Sequence, residues 1–276
     1  MRNLNQNIRI IKPGNRSFTG QLREVYSYRS FILLFARRDI KAYYSQSVLG
    51  ILWSFIQAVT AMLIVSFFFG KLLGLQIGNI PYILFAFPGM IAWYYFSQLV
   101  IQAGTSLMQS EPIIKKVFFP KLILPLSKML AGLVEFAIWL LLFFMMLVYY
   151  KYPVSLNILL LPVALLLNII SGLSIAIWLS ALTIRYRDAN HIIPYLVAFG
   201  VFVTPVFFET AMIPHQYHYL IYFNPMAGVI VLMRACLLGM EFPSWQYCTG
   251  FIPVIILFFT GLYYFRKVEG KMVDLL

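Results

Sequence analysis

Acidic residues are scarce in this chain: nine Asp and Glu in 276 positions, against 21 Lys and Arg. There are three histidines, His191, His215 and His218, and two cysteines, Cys236 and Cys248. Each shortage excludes something. Two cysteines make neither a disulfide framework nor a metal-ligand set. They read as small apolar fillers, and they pair only if both face an oxidising compartment. Scattered histidines, with no H-E-x-x-H and no G-x-S-x-G, leave no catalytic constellation and no metal site. The G-x-x-x-x-G-K-[ST] signature is also missing, so no phosphate-cradling loop is present with which to hydrolyse ATP. No catalytic residue and no cofactor bound by this chain is expected. A polar majority is missing too: 62% of residues are hydrophobic, with a mean hydropathy of +0.84. That rules out a soluble domain. The net charge of +12 raises nucleic-acid binding as a reading. The basic residues, however, are split among short loops, which membrane topology explains better, so no nucleic-acid partner is expected. The first long apolar run begins near Ile51, too late for the core of a cleavable signal.

What is present is a succession of apolar runs, which predicts an all-α polytopic membrane protein. Residues 1–46 form a basic arm, with a turn at Pro13-Gly14-Asn15 and a helix over 30–46 lying on the membrane. Residues 47–276 form the transmembrane domain. Six spans are expected, at 51–70, 81–103, 122–150, 156–182, 192–208 and 245–265, each against about 30 Å of hydrocarbon. Residues 214–223 and 225–238 are short apolar helices broken at Asn224-Pro225. The second carries Arg234 and is too short and too charged for an easy span, so the pair reads as re-entrant or interfacial. With both termini in the cytoplasm, 17 of the 21 basic residues fall inside. A seventh span would place the basic tail outside.

Three features carry candidate function. Ser110 to Lys121 is a polar-edged stretch between two spans. Ser110 or Glu111 can cap a helix, Pro112 suits a first turn, and Pro120 ends it. Ile113, Ile114, Val117 and Phe118 form one stripe, with Lys115 and Lys116 pointing elsewhere. This predicts a two-turn amphipathic helix over 111–119, with a plain loop as the equal alternative. Glu135 lies deep in the third span, where an acid is costly unless paired or facing water. It reads as a packing hydrogen bond ahead of a gating residue, with Lys128 as a partner or as a snorkelling cation. Aromatic residues make up 17% of the chain. Clusters such as Trp93-Tyr94-Tyr95-Phe96 suit either interfacial belts or a lumen stacking on sugar rings.

Five stretches, taken together, resemble a known family. They are Arg38-Asp39-Ile40-Lys41 with Tyr44, Gln46-Ser47-Val48-Leu49-Gly50 and Trp53; Ile114 to Lys121 with Pro125-Leu126-Ser127; Arg185-Tyr186-Arg187-Asp188 with Thr204-Pro205-Val206; Asn224-Pro225-Met226 with Arg234 and Leu238-Gly239; and Tyr264-Phe265-Arg266-Lys267 with Glu269 and Asp274. In order and spacing they are similar to the membrane subunits of ABC-2 type polysaccharide exporters, which move O-antigen, capsule or teichoic acid chains. The resemblance runs from about Arg38 to Leu276. It departs where Tyr43 and Ala58 stand, positions often basic and proline in that family.

The resemblance implies a permease that homodimerises on two copies of a separate nucleotide-binding ATPase subunit, which would hold ATP and Mg. It implies a lipid-linked polysaccharide as cargo, contact with membrane lipids, and a bacterial cytoplasmic (inner) membrane. ATPase coupling would fall to Ser110, Glu111, Pro112, Lys115 and Lys116, with Arg38, Asp39 and Lys41 of the arm. The substrate pathway would run past Trp53, Trp93, Tyr94, Phe199 and Phe202, and Asn224, Pro225 and Arg234 would form an outer gate. Two rivals remain: a drug or lipid exporter of the same fold, and a glycosyl-transfer enzyme using Glu209, His215, His218, Arg234 and Glu241.

Overall fold

A computed structural model describes residues 18–270 apart from 46–48, 76, 79 and 187, side chains at 18, 19, 21 and 22 excepted. The Pro13-Gly14-Asn15 turn, Gln46-Ser47-Val48, Arg187, Lys271 and Asp274 therefore lie outside the described residues. The fold is all-α. Helix α1 (Phe18–Ser27) precedes α2 (Arg29–Ser45), and Tyr28 bridges them with its amide on the Glu24 carbonyl at 3.1 Å. The arm is thus helical further upstream than the expected 30–46, because no proline interrupts it after Pro13.

Helix α3 (Leu52–Leu72) finishes with seven π-helical residues, Ser66–Leu72. Helix α4 (Tyr82–Gly104) is followed by two single-turn helices, α5 (Ser106–Gln109) and α6 (Glu111–Ile114), and then by α7 (Ile123–Tyr149). A 3₁₀ lead-in, Leu156–Leu160, opens α8 (Leu161–Arg185). Helices α9 (Ala189–Val203), α10 (His218–Tyr222), α11 (Pro225–Leu238) and α12 (Phe251–Glu269) complete the bundle. Five segments among the described residues are long and apolar enough to cross a membrane: 52–72, 82–104, 123–149, 156–185 and 245–269.

The fifth expected span, 192–208, is corrected. Helix α9 starts earlier, at Ala189, and stops at Val203, giving 15 residues. That is about 22 Å, short of the ~30 Å hydrocarbon layer. Pro205 is the cause: it drives Thr204 into an extended conformation (ψ 139°) that no helix continues. The break at Asn224-Pro225 is sharper, with the segments His215–Tyr222 and Pro225–Leu238 meeting at 93°. Local chemistry defines α11. The Asn224 carboxamide oxygen accepts from the Met226 amide at 3.0 Å, Pro225 fills the first turn, and Gly239 ends the helix at φ 69°.

Helix α4 is the central element. Its most apolar window is 78% buried, against 17–39% for the other four. Small residues let its neighbours approach, as in other membrane bundles. A Cβ on Gly172 would lie 2.7 Å from Leu99, and one on Gly104 3.1 Å from Leu179. Between α4 and α8, buried Asn168 donates to the Ala92 carbonyl at 2.9 Å, and Thr183 to the Gly104 carbonyl at 3.1 Å. Such bonds satisfy polar groups that hydrocarbon would leave stranded.

Gly250 shows how tightly the bent pair is held. A Cβ there would meet the Tyr222 carbonyl at 2.8 Å and the Pro225 nitrogen at 3.0 Å, both backbone. Gly250→Ala is expected to cost about 1–3 kcal/mol, as overpacking does. Gly270→Ala, with open space around it, should be neutral. Thermal unfolding in detergent checks this, and equal melting of both variants would refute the packing account.

Candidate functional site

The stretch between α4 and α7 is not the two-turn helix over 111–119 that its periodicity suggests. Only Glu111–Ile114 is helical, preceded by the separate turn of α5, and residues 117–120 carry no helix. Pro112 does sit in the first turn, but Ser110 makes no side-chain cap bond. The apolar stripe is divided. Ile114 and Phe119 are buried, while Val117 and Phe118 are exposed beside exposed Lys115 and Lys116. Glu111 and Lys115 pair at 2.7 Å on the helix surface. At that exposure the pair is worth at most about 1 kcal/mol.

Phe119 joins this stretch to α2. Its ring lies 5.4 Å from Phe35 and stacks on Phe31 at 6.5 Å. The Lys121 ammonium sits 4.5 Å from the same ring. Burial pulls that ammonium below the ordinary lysine range, and Glu269 pushes back. Glu269 also accepts the Lys121 backbone amide at 2.8 Å, which fastens the end of α12 to the stretch. On the α5 side, the Asn190 carboxamide reaches the Met108 sulfur at 2.6 Å, so the same stretch touches the start of α9.

Asp39 is the second junction. One carboxylate oxygen accepts from Arg38 at 2.7 Å; the other pairs with Lys128 at 3.0 Å. The Asp39 and Lys128 side chains are only 13% and 15% exposed, so this pair clamps α2 to α7 with little water between them. Lys128 therefore neither snorkels free nor serves Glu135. Glu135 instead lies near the Tyr43 and Tyr94 hydroxyls. Arg37 and Lys41 stay exposed on the outer side of α2. The result is one plate of α2, α5, α6 and the 115–122 turn, bound to α7, α9 and α12.

The expected pathway residues separate into two groups. Trp53, Phe199 and Phe202 lie on exposed faces of α3 and α9. Trp93 packs on α9, where a Cβ on Gly200 would lie 2.9 Å from its ring. Tyr94 turns inward and stacks on Trp139 at 4.3 Å.

Arg234 does not line an opening. It is 3% exposed, and its guanidinium donates to the carbonyls of Val206 at 2.7 Å, Phe85 at 3.2 Å and Phe208 at 3.4 Å. It also lies 3.7 Å over the Phe85 ring. It thus satisfies the backbone freed where α9 breaks. Asn224, besides capping α11, donates to the Thr204 hydroxyl at 2.9 Å. The His215 and His218 rings lie 4.7 Å apart, tilted at 54°, with His218 bonded to the Ile213 carbonyl at 2.8 Å. Cys236 is buried and Cys248 exposed, both free. Phe119, Met108, Asn190 and the Asp39–Lys128 pair escape sequence reasoning, because each works through a partner on another helix. Glu269, Phe119 and Asp39 carried a signal only as members of the family-like motifs, which did not show what each would meet.

A family model described as ABC-2 type transporter matches residues 30–238. Among similar curated proteins is an O-antigen export system permease protein RfbA of Klebsiella pneumoniae. It is 28% identical over 250 residues, covering 89% of this chain and 94% of the relative. A protein of the same name from Myxococcus xanthus is 29% identical over 217 residues, covering 78% and 82%. A polysialic acid transport protein KpsM of Escherichia coli is 24% identical over 245 residues, covering 86% and 92%.

Two experiments test these junctions. Arg234→Met should destabilise by about 3–5 kcal/mol, since three buried carbonyls lose their donor, and Arg234→Lys should recover only part. A double-mutant cycle of Asp39→Asn and Lys128→Met, read by thermal unfolding, should give about 1–3 kcal/mol of coupling. Strict additivity would mean the pair is idle.

Proposed function

The chain belongs to the ABC-2 type transporter family, and on that premise we propose that it is the membrane permease subunit of an ATP-driven exporter of lipid-linked polysaccharide, O-antigen-like in kind. The observation that carries the cargo class is similarity across 82–94% of relatives named for O-antigen export or polysialic acid transport. Capsular or teichoic acid chains are the nearest alternative cargo, and a drug or lipid exporter of the same fold is a more distant one. A glycosyl-transfer enzyme is disfavoured: the His215–His218 pair and the carbonyl-bound Arg234 are engaged in separate contacts and do not converge.

In this reading the exposed face of the plate, with Glu111, Lys115, Lys116, Val117 and Phe118, is cytoplasmic and docks a separate ATPase subunit. ATP and Mg²⁺ belong to that partner. Hydrolysis displaces the plate, and the Met108–Asn190 contact carries the displacement to α9. Two copies of the chain enclose a tunnel between the exposed faces of α3 and α9, where Trp53, Phe199 and Phe202 present their rings. The apolar faces of sugar rings slide on aromatic surfaces without fixed hydrogen bonds, which suits a polymer that must keep moving. Arg234 holds the outer end of α9, and the bent α10–α11 pair closes that side. The assembly sits in a bacterial inner membrane with both termini in the cytoplasm.

The deciding experiment is to purify the tagged chain in mild detergent. A stoichiometric P-loop subunit whose ATPase depends on this chain is the expected companion; a chain that purifies alone at every expression ratio overturns the reading. Glu111→Arg reverses the charge on the docking face. It should cut export and transport-linked ATPase by about tenfold, equivalent to ~1.4 kcal/mol, while the chain still folds. Wild-type export by that variant would refute the assignment of the coupling face.

A further inference from the structure

Behind the plate, α2, α4 and α7 enclose a half-open cavity of about 120 Å³. Its polar lining comes from Asp39, Tyr43, Gln98, Gln102, Lys128 and Glu135. Ile40, Leu99, Ala131 and Gly132 supply apolar wall. At roughly 15 Å³ per site this is space for on the order of eight waters, comparable with one sugar ring.

The charges inside select among ligands. Lys128 is held by Asp39 at 3.0 Å, and Arg38 binds the other oxygen of the same carboxylate at 2.7 Å. Both cations near the cavity are therefore committed. An entering phosphate would have to break that pair, and it would face the Glu135 carboxyl as well. Two carboxamides and a carboxyl group remain, with donors and acceptors in the arrangement that hydroxyl groups satisfy. Tyr44 also lines the cavity, and its ring stands edge-on to Tyr43 at 5.0 Å, with Tyr43 half exposed. Such a face offers a negative quadrupole to the C–H bonds of a pyranose.

We propose that this cavity is a recognition subsite for a single uncharged sugar ring, placed against the Asp39–Lys128 junction so that its occupancy bears on how α2 meets α7. The inference rests on polysaccharide as the cargo.

The test uses the intact complex of this chain with its ATPase partner in nanodiscs. Saturation-transfer NMR is recorded with glucose, galactose, mannose, rhamnose and N-acetylglucosamine, and with inorganic phosphate and ethylamine as charged probes. At least one neutral sugar should bind with an affinity on the order of millimolar, well ahead of both charged probes. Ala131→Leu, which fills the cavity without removing a polar group, should abolish that signal. Ala137→Leu, on an exposed face of the same helix, should leave it intact. No sugar signal, a signal indifferent to Ala131→Leu, or preference for phosphate or ethylamine would each overturn the proposal. Surface polysaccharide is measured in parallel in a deletion strain. Surface polymer lost on deletion, together with an indifferent Ala131→Leu, sinks the subsite alone. Surface polymer retained on deletion sinks the cargo reading, and the subsite with it.

Discussion

A guanidinium at the heart of an apolar bundle has to be ringed by acceptors, and the arrangement of α4, α9 and α11 follows from meeting that demand at Arg234. Three backbone carbonyls, from Phe85, Val206 and Phe208, converge on it. Two of them are available only because Pro205 breaks the helix before them. The break and the arginine are therefore one device. A proline that strands backbone acceptors in hydrocarbon is tolerable when a neighbouring helix supplies the donors. Gly89 lets the strands of this knot close, since a Cβ there would lie 2.9 Å from the Val206 carbonyl. The short α9 is thereby anchored at one end, and its other end meets the plate through Asn190 and Met108.

At that other end the chain solves a different problem. A one-turn helix and an irregular turn have little stability of their own. They hold their shape because Phe119 is packed under α2, the Lys121 amide is bonded to Glu269, and the Asp39–Lys128 pair ties α2 to α7. None of these contacts lies on the exposed outer face. The exposed outer face is thus left out of the contacts that fix the stretch to the bundle. This division explains why Val117 and Phe118 can remain exposed next to two lysines.

Between the two ends, α3 and α9 carry exposed aromatic and aliphatic faces, with Trp53, Phe199 and Phe202 among them. The polar cavity beside Glu135 lies apart from those faces, at the junction of α2 with the bundle. An acid inside a span is costly, and here the cost is offset by tyrosine hydroxyls and an open polar space.

Much of this was legible in the order of residues alone. Long apolar runs, the basic bias of the loops, the helix punctuation at Asn224-Pro225 and Gly239, and five family-like motifs follow from one-dimensional patterns. Hydrocarbon thickness and backbone hydrogen bonding act on consecutive residues. The stretch between α4 and α7 was given too much helix, because an i, i+4 stripe says which residues share a face and not whether tertiary contacts will let the helix continue. Phe119 took the buried place that Val117 and Phe118 seemed to share. Arg234 was legible as costly, yet its role was not, since its acceptors lie 26 to 149 residues away. The same holds for Asp39 with Lys128 and for Glu135 with Tyr43 and Tyr94. The sequence by itself determined the membrane class, every span but the fifth, and the family; only the tertiary structure decided which charge meets which partner, because in a low-dielectric interior that choice depends on distances between helices that no linear spacing encodes.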